Sequence, residues 1–315
     1  MKYSFIIPMF NEERDIEATV SSVLTQKCPN FEMEVVLIDD GSNDGTYKLC
    51  CDCYDTNPIV QILHSKKNWG VAHARNIGVK AASGDVVIFL NADELVAPDF
   101  LCRIHQHYQS CADYVFPQSR VLNCNTSYGI FRDRYRLSKY PRPNTFMWSQ
   151  GFSCKKALFM QIGGFSELYP GCGGEDWDFI SRLDMLFKNR VVDLEIVVKH
   201  TVPENVNEVL WHMYNRGRGS SYYDLIYGEK SPTTYFYLFL LRIIMIFVIL
   251  IWDCRILICV AAAIGANAIY CGWKLCKSGD KGIVNIICFY IIDKIVRYIG
   301  YSINMFKHVE ILYKR

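Results

Sequence analysis

Apolar and polar positions in residues 3–117 alternate between two periods. Short β-branched or aromatic runs at Tyr3–Pro8, Glu34–Asp39, Val60–His64, Val86–Leu90 and Tyr114–Pro117 predict strands. Between them the spacing becomes helical. Ile16, Val20, Val23 and Leu24 share one face of a helix over Glu12–Gln26, which Asn11 caps; Asp44 opens a second helix. Gly70–Ala82 forms a third, and Pro98–Gln109 a fourth with Pro98 near its first turn. Further on, Glu175 and Asp176 start the helix Trp177–Leu186, and Val191–Lys199 reads as another strand. This alternation predicts an α/β fold with a mostly parallel, doubly wound sheet.

From Thr233 the pattern changes. Tyr235–Trp252 is apolar apart from Arg242, and Ile256–Trp273 carries no charge. At ~1.5 Å per residue each suffices to cross a bilayer core, and Asp253-Cys254-Arg255 makes the pair a tight hairpin. Lys274, Lys277 and Lys281 follow, so the positive-inside rule puts both ends of the hairpin in the cytoplasm. No signal peptide precedes the first strand, which agrees with a cytoplasmic amino-terminal domain. A third apolar segment, 283–305, is interrupted by Asp293, Lys294 and Arg297 and reads as an interfacial helix. The expected organisation is one domain over 1–220, then a membrane-associated helical tail over 221–315. A buried helical subdomain of a soluble protein is the rival account of the tail.

The 315 residues carry a formal net charge of +2, which gives no electrostatic case for nucleic-acid binding. None of the fourteen cysteines belongs to a convincing pair of zinc-type Cys-x-x-Cys clusters. Cys50, Cys51 and Cys53 lie on one helix, so reduced and mostly buried thiols are expected. Residues 118–150 crowd Arg120, Arg132, Arg134, Arg136, Lys139 and Arg142 among Tyr128, Tyr135 and Tyr140. They form either a solvated loop or strand pair, or an acceptor-side surface for phosphate or sugar.

Three acidic sites carry the chemistry. Val35-Val36-Leu37-Ile38 ends in Asp39-Asp40-Gly41-Ser42, where open α/β sheets bind ligands; an ordinary strand-to-helix turn uses the same residue types. Val86–Leu90 ends in Asn91-Ala92-Asp93, and an Asp there can hold Mg²⁺ or Mn²⁺ shared with a substrate phosphate. Between the two lies Asn68–Asn76, in which Arg75 can present a forked donor to a base or phosphate. The third site is Gly171-Cys172-Gly173-Gly174-Glu175-Asp176. Its acids either cap a helix or, crowded together, acquire a raised proton affinity suited to a general base.

The ordered set Ile6-Ile7-Pro8-Met9-Phe10-Asn11-Glu12-Glu13, Ile38-Asp39-Asp40-Gly41-Ser42, Asn68–Asn76, Asn91-Ala92-Asp93, Gly163-Gly164-Phe165 and Gly174-Glu175-Asp176 resembles family 2 glycosyltransferases of the GT-A fold. The resemblance covers roughly residues 1–220. Trp211-His212-Met213-Tyr214-Asn215-Arg216-Gly217-Arg218-Gly219, followed by apolar helices, is similar to membrane-bound succinoglycan-type members that build exopolysaccharide on lipid carriers.

The resemblance implies that Pro8, Asn11 and Glu12 line the donor pocket and that Asp39 or Asp40 contacts the nucleotide base and ribose. Arg75 approaches the base or phosphates, and Asn91 and Ala92 belong to the same pocket. Asp93 holds Mg²⁺ or Mn²⁺, and Asp176, beside Glu175, is the catalytic base. Asn91 stands where the family usually has the first Asp of D-x-D and brings no charge. His200 is a candidate third metal or pyrophosphate ligand, though a lone strand-end histidine is more often structural.

The expected reaction is a single inverting displacement from a nucleotide-diphosphate sugar to a hydroxyl of a glycan or polyprenyl-linked acceptor, with Arg216 or Arg218 helping to neutralise the pyrophosphate. Two alternatives stand beside it. A sugar-nucleotide pyrophosphorylase would usually carry a glycine-rich loop with Arg and Lys after the first strand, which Pro8-Met9-Phe10-Asn11-Glu12-Glu13 is not. A catalytically silent binding module fits the Asn91 replacement but not the presence of Asp93 with Glu175-Asp176.

Overall fold

A computed structural model describes residues 1–26, 31–137, 148–169, 173–227, 289 and 291–303. The first strands and helices are β1 (Lys2–Met9), α1 (Ile16–Leu24), β2 (Glu32–Asp39), α2 (Thr46–Tyr54), β3 (Val60–His64), α3 (Val71–Ala81) and β4 (Val86–Phe89). After these come β5 (Glu94–Val96), α4 (Phe100–Gln109), β6 (Tyr114–Val121) and α5 (Ser127–Leu137). The rest are β7 (Ser153–Lys155), α6 (Lys156–Gln161), α7 (Glu175–Leu186), β8 (Arg190–His200) and α8 (Val206–Tyr227).

The strands form one sheet in the order β3-β2-β1-β4-β7-β6-β8-β5. β3, β2, β1 and β4 run parallel, as do β6 and β8, while β7 and β5 are antiparallel to their neighbours. The sheet is therefore mostly parallel, as the strand–helix alternation predicts. Its parallel centre is buried: Phe5, Ile6, Ile7, Val35, Val36, Leu37, Val87 and Ile88 have no exposed surface. Such strands read as continuous apolar runs because helices cover both faces. The register pairs Met9 with Asp39 and Ile6 with Phe89, which brings the carboxyl ends of β1, β2 and β4 to one edge. The turns that carry Glu12, Asp40 and Asp93 leave the sheet there, while Glu175 and Asp176 open α7.

Several expectations need correction. α1 begins at Ile16, with Asp15 before it, rather than at Glu12 capped by Asn11. Asn11 instead adopts a left-handed backbone (φ 59°), and its Oδ1 accepts from the Asn43 amide at 2.8 Å. The side chain thus ties the β1 turn to the β2 turn. Gly45, not Asp44, precedes α2; the Asp44 carboxylate accepts from the Thr46 amide at 3.0 Å. β6 continues past Pro117 to Val121 through an irregularity in its pairing with β8. The cysteines divide: Cys50, Cys51, Cys53, Cys111 and Cys154 are free thiols, whereas Cys102 is disulfide-bonded.

The chain forms two compact units. The first comprises Met1–Asn123 and Lys139–Val202 and holds the whole sheet; the second comprises Cys124–Ser138 and Pro203–Arg315. The division expected after residue 220 is set against this one, in which α5 and α8 belong together. In the second unit Arg216 on α8 donates to the Tyr128 hydroxyl of α5 at 2.8 Å. The predicted hairpin segments 235–252 and 256–273 lie outside the described residues. Among the described residues no helix is long and apolar enough to cross a membrane. Part of the third apolar segment is described, and 291–303 is a helix. Its face is reversed from that of a water-soluble helix: Asp293 is buried against Arg297 (2.9 Å), while Ile292, Ile295, Ile299 and Ile303 are exposed.

Candidate functional site

Each acid-bearing turn is fixed by backbone that only particular residues permit. Gly41 has φ +79°, and a Cβ there would sit 2.8 Å from the Lys67 carbonyl carbon. Glycine thus lets the β2 turn lie against the loop that precedes α3. That loop sends the Trp69 and Gly70 amides onto Asp40, at 2.9 and 2.8 Å. Burial nevertheless outweighs these two donors and raises the Asp40 pKa above the ordinary carboxylate value. Asp39 is fully buried. Its Oδ2 lies 2.8 Å from His64 Nδ1, and His64 stacks on Tyr47 with centroids 4.1 Å apart. Asp39 Oδ1 has no hydrogen-bond partner, an arrangement that costs free energy unless a ligand supplies a donor.

At the end of β1, Pro8 is buried opposite Ile38, and the amides of Asn11 and Glu12 donate to Ser42 Oγ (2.9 Å) and Thr46 Oγ1 (2.8 Å). The Glu12 carboxyl is pushed up to about 8, first by burial and next by the charge of Asp93, with Asp15 and Asp44 adding to it. Asp93 and Glu12 therefore sense each other across the sheet edge. Ala92 is buried, its carbonyl accepting from Thr19 Oγ1 of α1 at 2.7 Å.

A four-partner network centres on Arg75, which is buried near the start of α3. Its Nη1 donates to Asp176 Oδ1 (3.0 Å) and Glu175 Oε1 (3.3 Å); its Nη2 donates to Asn91 Oδ1 (3.0 Å) and Ser149 Oγ (2.8 Å). Phe165 lies beneath the guanidinium, its ring centroid 5.1 Å from Cζ. The neighbouring Asn76 fixes that phenylalanine: its amide accepts from the Phe165 N–H and donates to the Phe165 carbonyl, both at 2.9 Å. The Arg75-Asn76 and Gly163-Gly164-Phe165 motifs are thus halves of one contact. The forked donor expected to face a base or phosphate is turned toward two acids, an amide and a hydroxyl of its own chain.

Asn91 is engaged at both ends, accepting from Arg75 and donating to Glu94 Oε1 at 2.8 Å. An Asp at this place could accept from Arg75 but could not donate to Glu94. The amide therefore holds the turn, and its neutrality has a physical basis here.

Glu175 and Asp176 are adjacent yet differently placed. The Glu175 side chain is 4% exposed, and its Oε2 accepts from the Gly173 amide at 2.6 Å. Burial and then the charge of Asp176 push it up to about 7, against the pull of Arg75. The Asp176 side chain is 21% exposed, and its Oδ2 accepts from the Ser149 amide (3.2 Å) and hydroxyl (3.0 Å). Of the two acids, Asp176 faces outward.

His200 ends β8 opposite Glu94, and the Thr201 amide donates to the Asp93 carbonyl at 3.3 Å. His200 Nδ1 lies 2.8 Å from the Arg120 carbonyl, so it is the protonated nitrogen, since a carbonyl only accepts. The described residues contain no group of three or more His, Cys, Asp or Glu side chains able to cage a metal. The donor chemistry at Asp93 and Glu12 fits instead a cation that keeps waters and shares its coordination with a phosphate ligand, which needs only one or two carboxylates. Arg216 and Arg218 belong to the second unit, where Arg218 Nη1 donates to Asn215 Oδ1 at 3.4 Å.

Sequence reasoning missed Ser149, which bridges Arg75 and Asp176. The only signal was a polar residue two places before Gly151, whose φ is +67°.

The family model for glycosyl transferase family 2 matches residues 4–166. Validoxylamine A glucosyltransferase of Streptomyces hygroscopicus subsp. limoneus is 25% identical over 214 residues, covering 57% of this chain and 47% of that protein. An uncharacterized glycosyltransferase of Synechocystis sp. is 30% identical over 121 residues, 38% of either chain. The chain thus spans less than half the length of these curated relatives. Among solved structures, a mannosyltransferase of Pyrobaculum calidifontis in complex with GDP-Man and Mn²⁺ matches 99% of this chain and 87% of its own, with a TM-score of 0.62. At 20% identity that likeness shows the GT-A-like fold alone.

Proposed function

Because the chain belongs to glycosyl transferase family 2, and is by that a glycosyltransferase, we propose that it moves a sugar from a nucleotide-diphosphate donor to an acceptor hydroxyl with inversion. The observation that carries this is the double engagement of Arg75. One guanidinium bonds Asn91, two residues before Asp93, and also Asp176. The turn that carries Asp93 and the acid suited to the acceptor's proton are therefore tied together by one side chain.

In this reading Asp39 Oδ1, buried and unpartnered, accepts an N–H of the donor base. Pro8, Asn11 and Ala92 shape the pocket around it. Asp93, with Glu12 beside it and His200 at the neighbouring strand end, would hold Mg²⁺ or Mn²⁺, which supplies Lewis-acid neutralisation of the departing diphosphate. Asp176 accepts the acceptor's proton as its oxygen attacks the anomeric carbon. Arg75 and Asn91 hold these groups in place.

A transfer assay over a panel of nucleotide sugars, run with and without Mn²⁺, tests the reading. Asp93→Ala is expected to lower transfer roughly a hundredfold or more, since metal-assisted charge neutralisation is worth several kcal/mol. Equal transfer in wild type and Asp93→Ala, indifferent to metal, would defeat it.

The acceptor is proposed to be a glycan or polyprenyl-linked molecule of a cell-surface polysaccharide, as in succinoglycan-type enzymes. The catalytic unit would stay on the cytoplasmic side, attached through 235–252 and 256–273. The exposed isoleucines of the helix 291–303 support a lipid-facing tail. Extraction from membranes is expected to require detergent. Full recovery in the aqueous fraction after carbonate washing would sink the attachment.

A further inference from the structure

We propose that Ser149 is the positioning residue of Asp176: it fixes the plane of the carboxylate and supplies a hydrogen bond of one fixed direction. This rests on the assignment of Asp176 as the proton acceptor.

The direction follows from donor chemistry. Arg75 Nη2 can only donate, so at 2.8 Å the Ser149 oxygen accepts from it. Asp176 Oδ2, at 3.0 Å, takes the Ser149 hydroxyl hydrogen when the carboxylate is ionised. The hydroxyl is thereby pinned at both ends, with its hydrogen on the Asp176 side. The Ser149 amide donates to the same Oδ2 at 3.2 Å, so two donors from one residue converge on one oxygen. Oδ1 is held by Arg75 at 3.0 Å. The carboxylate plane is consequently fixed from two sides.

The residue is built for this place. Ser149 is buried, and the chain turns behind it at Gly151, where a Cβ would come 2.4 Å from the Val198 side chain and 2.7 Å from that of Pro117. The Gly151 amide donates to the Phe89 carbonyl at 2.9 Å and the Phe89 amide to the Phe152 carbonyl at 2.8 Å, anchoring the segment to β4. Ser149 thus precedes backbone that is bonded to β4, and its own carbonyl accepts from the Phe152 amide at 3.2 Å. The charged groups facing the pair are Arg75 from α3 and Glu175 from α7, and Asn91 is their neutral neighbour from the turn after β4.

Losing one hydrogen bond to a charged group predicts a fall in kcat of about 10- to 100-fold for Ser149→Ala. KM for the donor should stay within about twofold. The acidic limb of the kcat profile should move to higher pH, because the carboxylate loses a donor that favours its charged form. Ser149→Thr, which keeps the hydroxyl, should recover most of the rate and the original limb. If Ser149→Ala does not fold, Ser149→Cys keeps the volume with a weaker donor and should show the same shift to a smaller degree. An unchanged kcat with an unmoved limb in Ser149→Ala or Ser149→Cys would overturn the proposal, as would a loss confined to KM. An Asp176→Asn control separates the two levels: full transfer by that variant removes the assignment of Asp176 itself. Loss in Asp176→Asn with wild-type behaviour in Ser149→Ala removes only the positioning role.

Discussion

Asp176→Asn is expected to lower transfer by about two to four orders of magnitude while leaving donor affinity within a few-fold. The substitution keeps size and removes basicity, so the effect should appear in kcat. The geometry sets the contrast with its neighbour. Asp176 retains a fifth of its side-chain surface, whereas Glu175 is sealed, with one oxygen on Arg75 and the other on the Gly173 amide. A proton acceptor must reach its substrate, and only the first of these acids has an open approach. Glu175→Gln should therefore cost much less transfer than Asp176→Asn. Single-turnover rates with saturating donor decide it: comparable losses in the two variants would mean that the buried acid takes part in the chemistry.

The parts of this molecule that were legible in the sequence are those whose physics is local. Strand ends such as Val35–Asp39 and Val86–Leu90 show themselves because a buried parallel strand needs an unbroken apolar run, and a carboxylate ends it abruptly. β5 and β7 escaped because three-residue strands carry no period to detect. α5 was hidden by its arginines, which read as a solvated stretch although Phe131 and Asp133 are buried. Asn11 has the side chain of a helix cap, yet bonding across to Asn43, 32 residues away, won over capping a helix that starts four residues later than expected. Arg75 is the plainest case of a correct residue with an illegible role. Its partners stand 16, 74, 100 and 101 residues along the chain, and no spacing rule joins them. Asn91 shows in the sequence only as a missing charge, and its bonds to Arg75 and Glu94 join residues that no spacing rule pairs.

Arg75→Met should destabilise the catalytic unit by about 3–5 kcal/mol, the range for removing one partner of a buried ion pair. Methionine keeps the unbranched apolar stem and removes the guanidinium with its charge and its hydrogen bonds. Without the guanidinium, Glu175 and Asp176 face each other with no cation between them, and Asn91 Oδ1 and Ser149 Oγ lose their donor. Arg75→Lys should rescue little, since one ammonium cannot reproduce a planar fork that meets four partners on two nitrogens. The test that isolates the electrostatic part is the double variant Arg75→Met with Glu175→Gln. Removing one uncompensated charge should recover about half of the loss, so the two effects would fall well short of additive in urea unfolding. A pH series supplies the sign. The Glu175 pKa is raised in the folded state to about 7, so the fold holds that proton more tightly than the unfolded chain does. Its stabilisation is complete below the unfolded value near 4.5 and is lost as pH rises toward and through 7. Glu175→Gln should flatten the decline in stability over that window. Arg75→Met should steepen it and extend it to higher pH, because the pKa rises further once the cation is gone. A cost below about 1 kcal/mol at pH 7, with an unaltered pH slope, would show that the four hydrogen bonds of Arg75 hold neither the acids nor the fold.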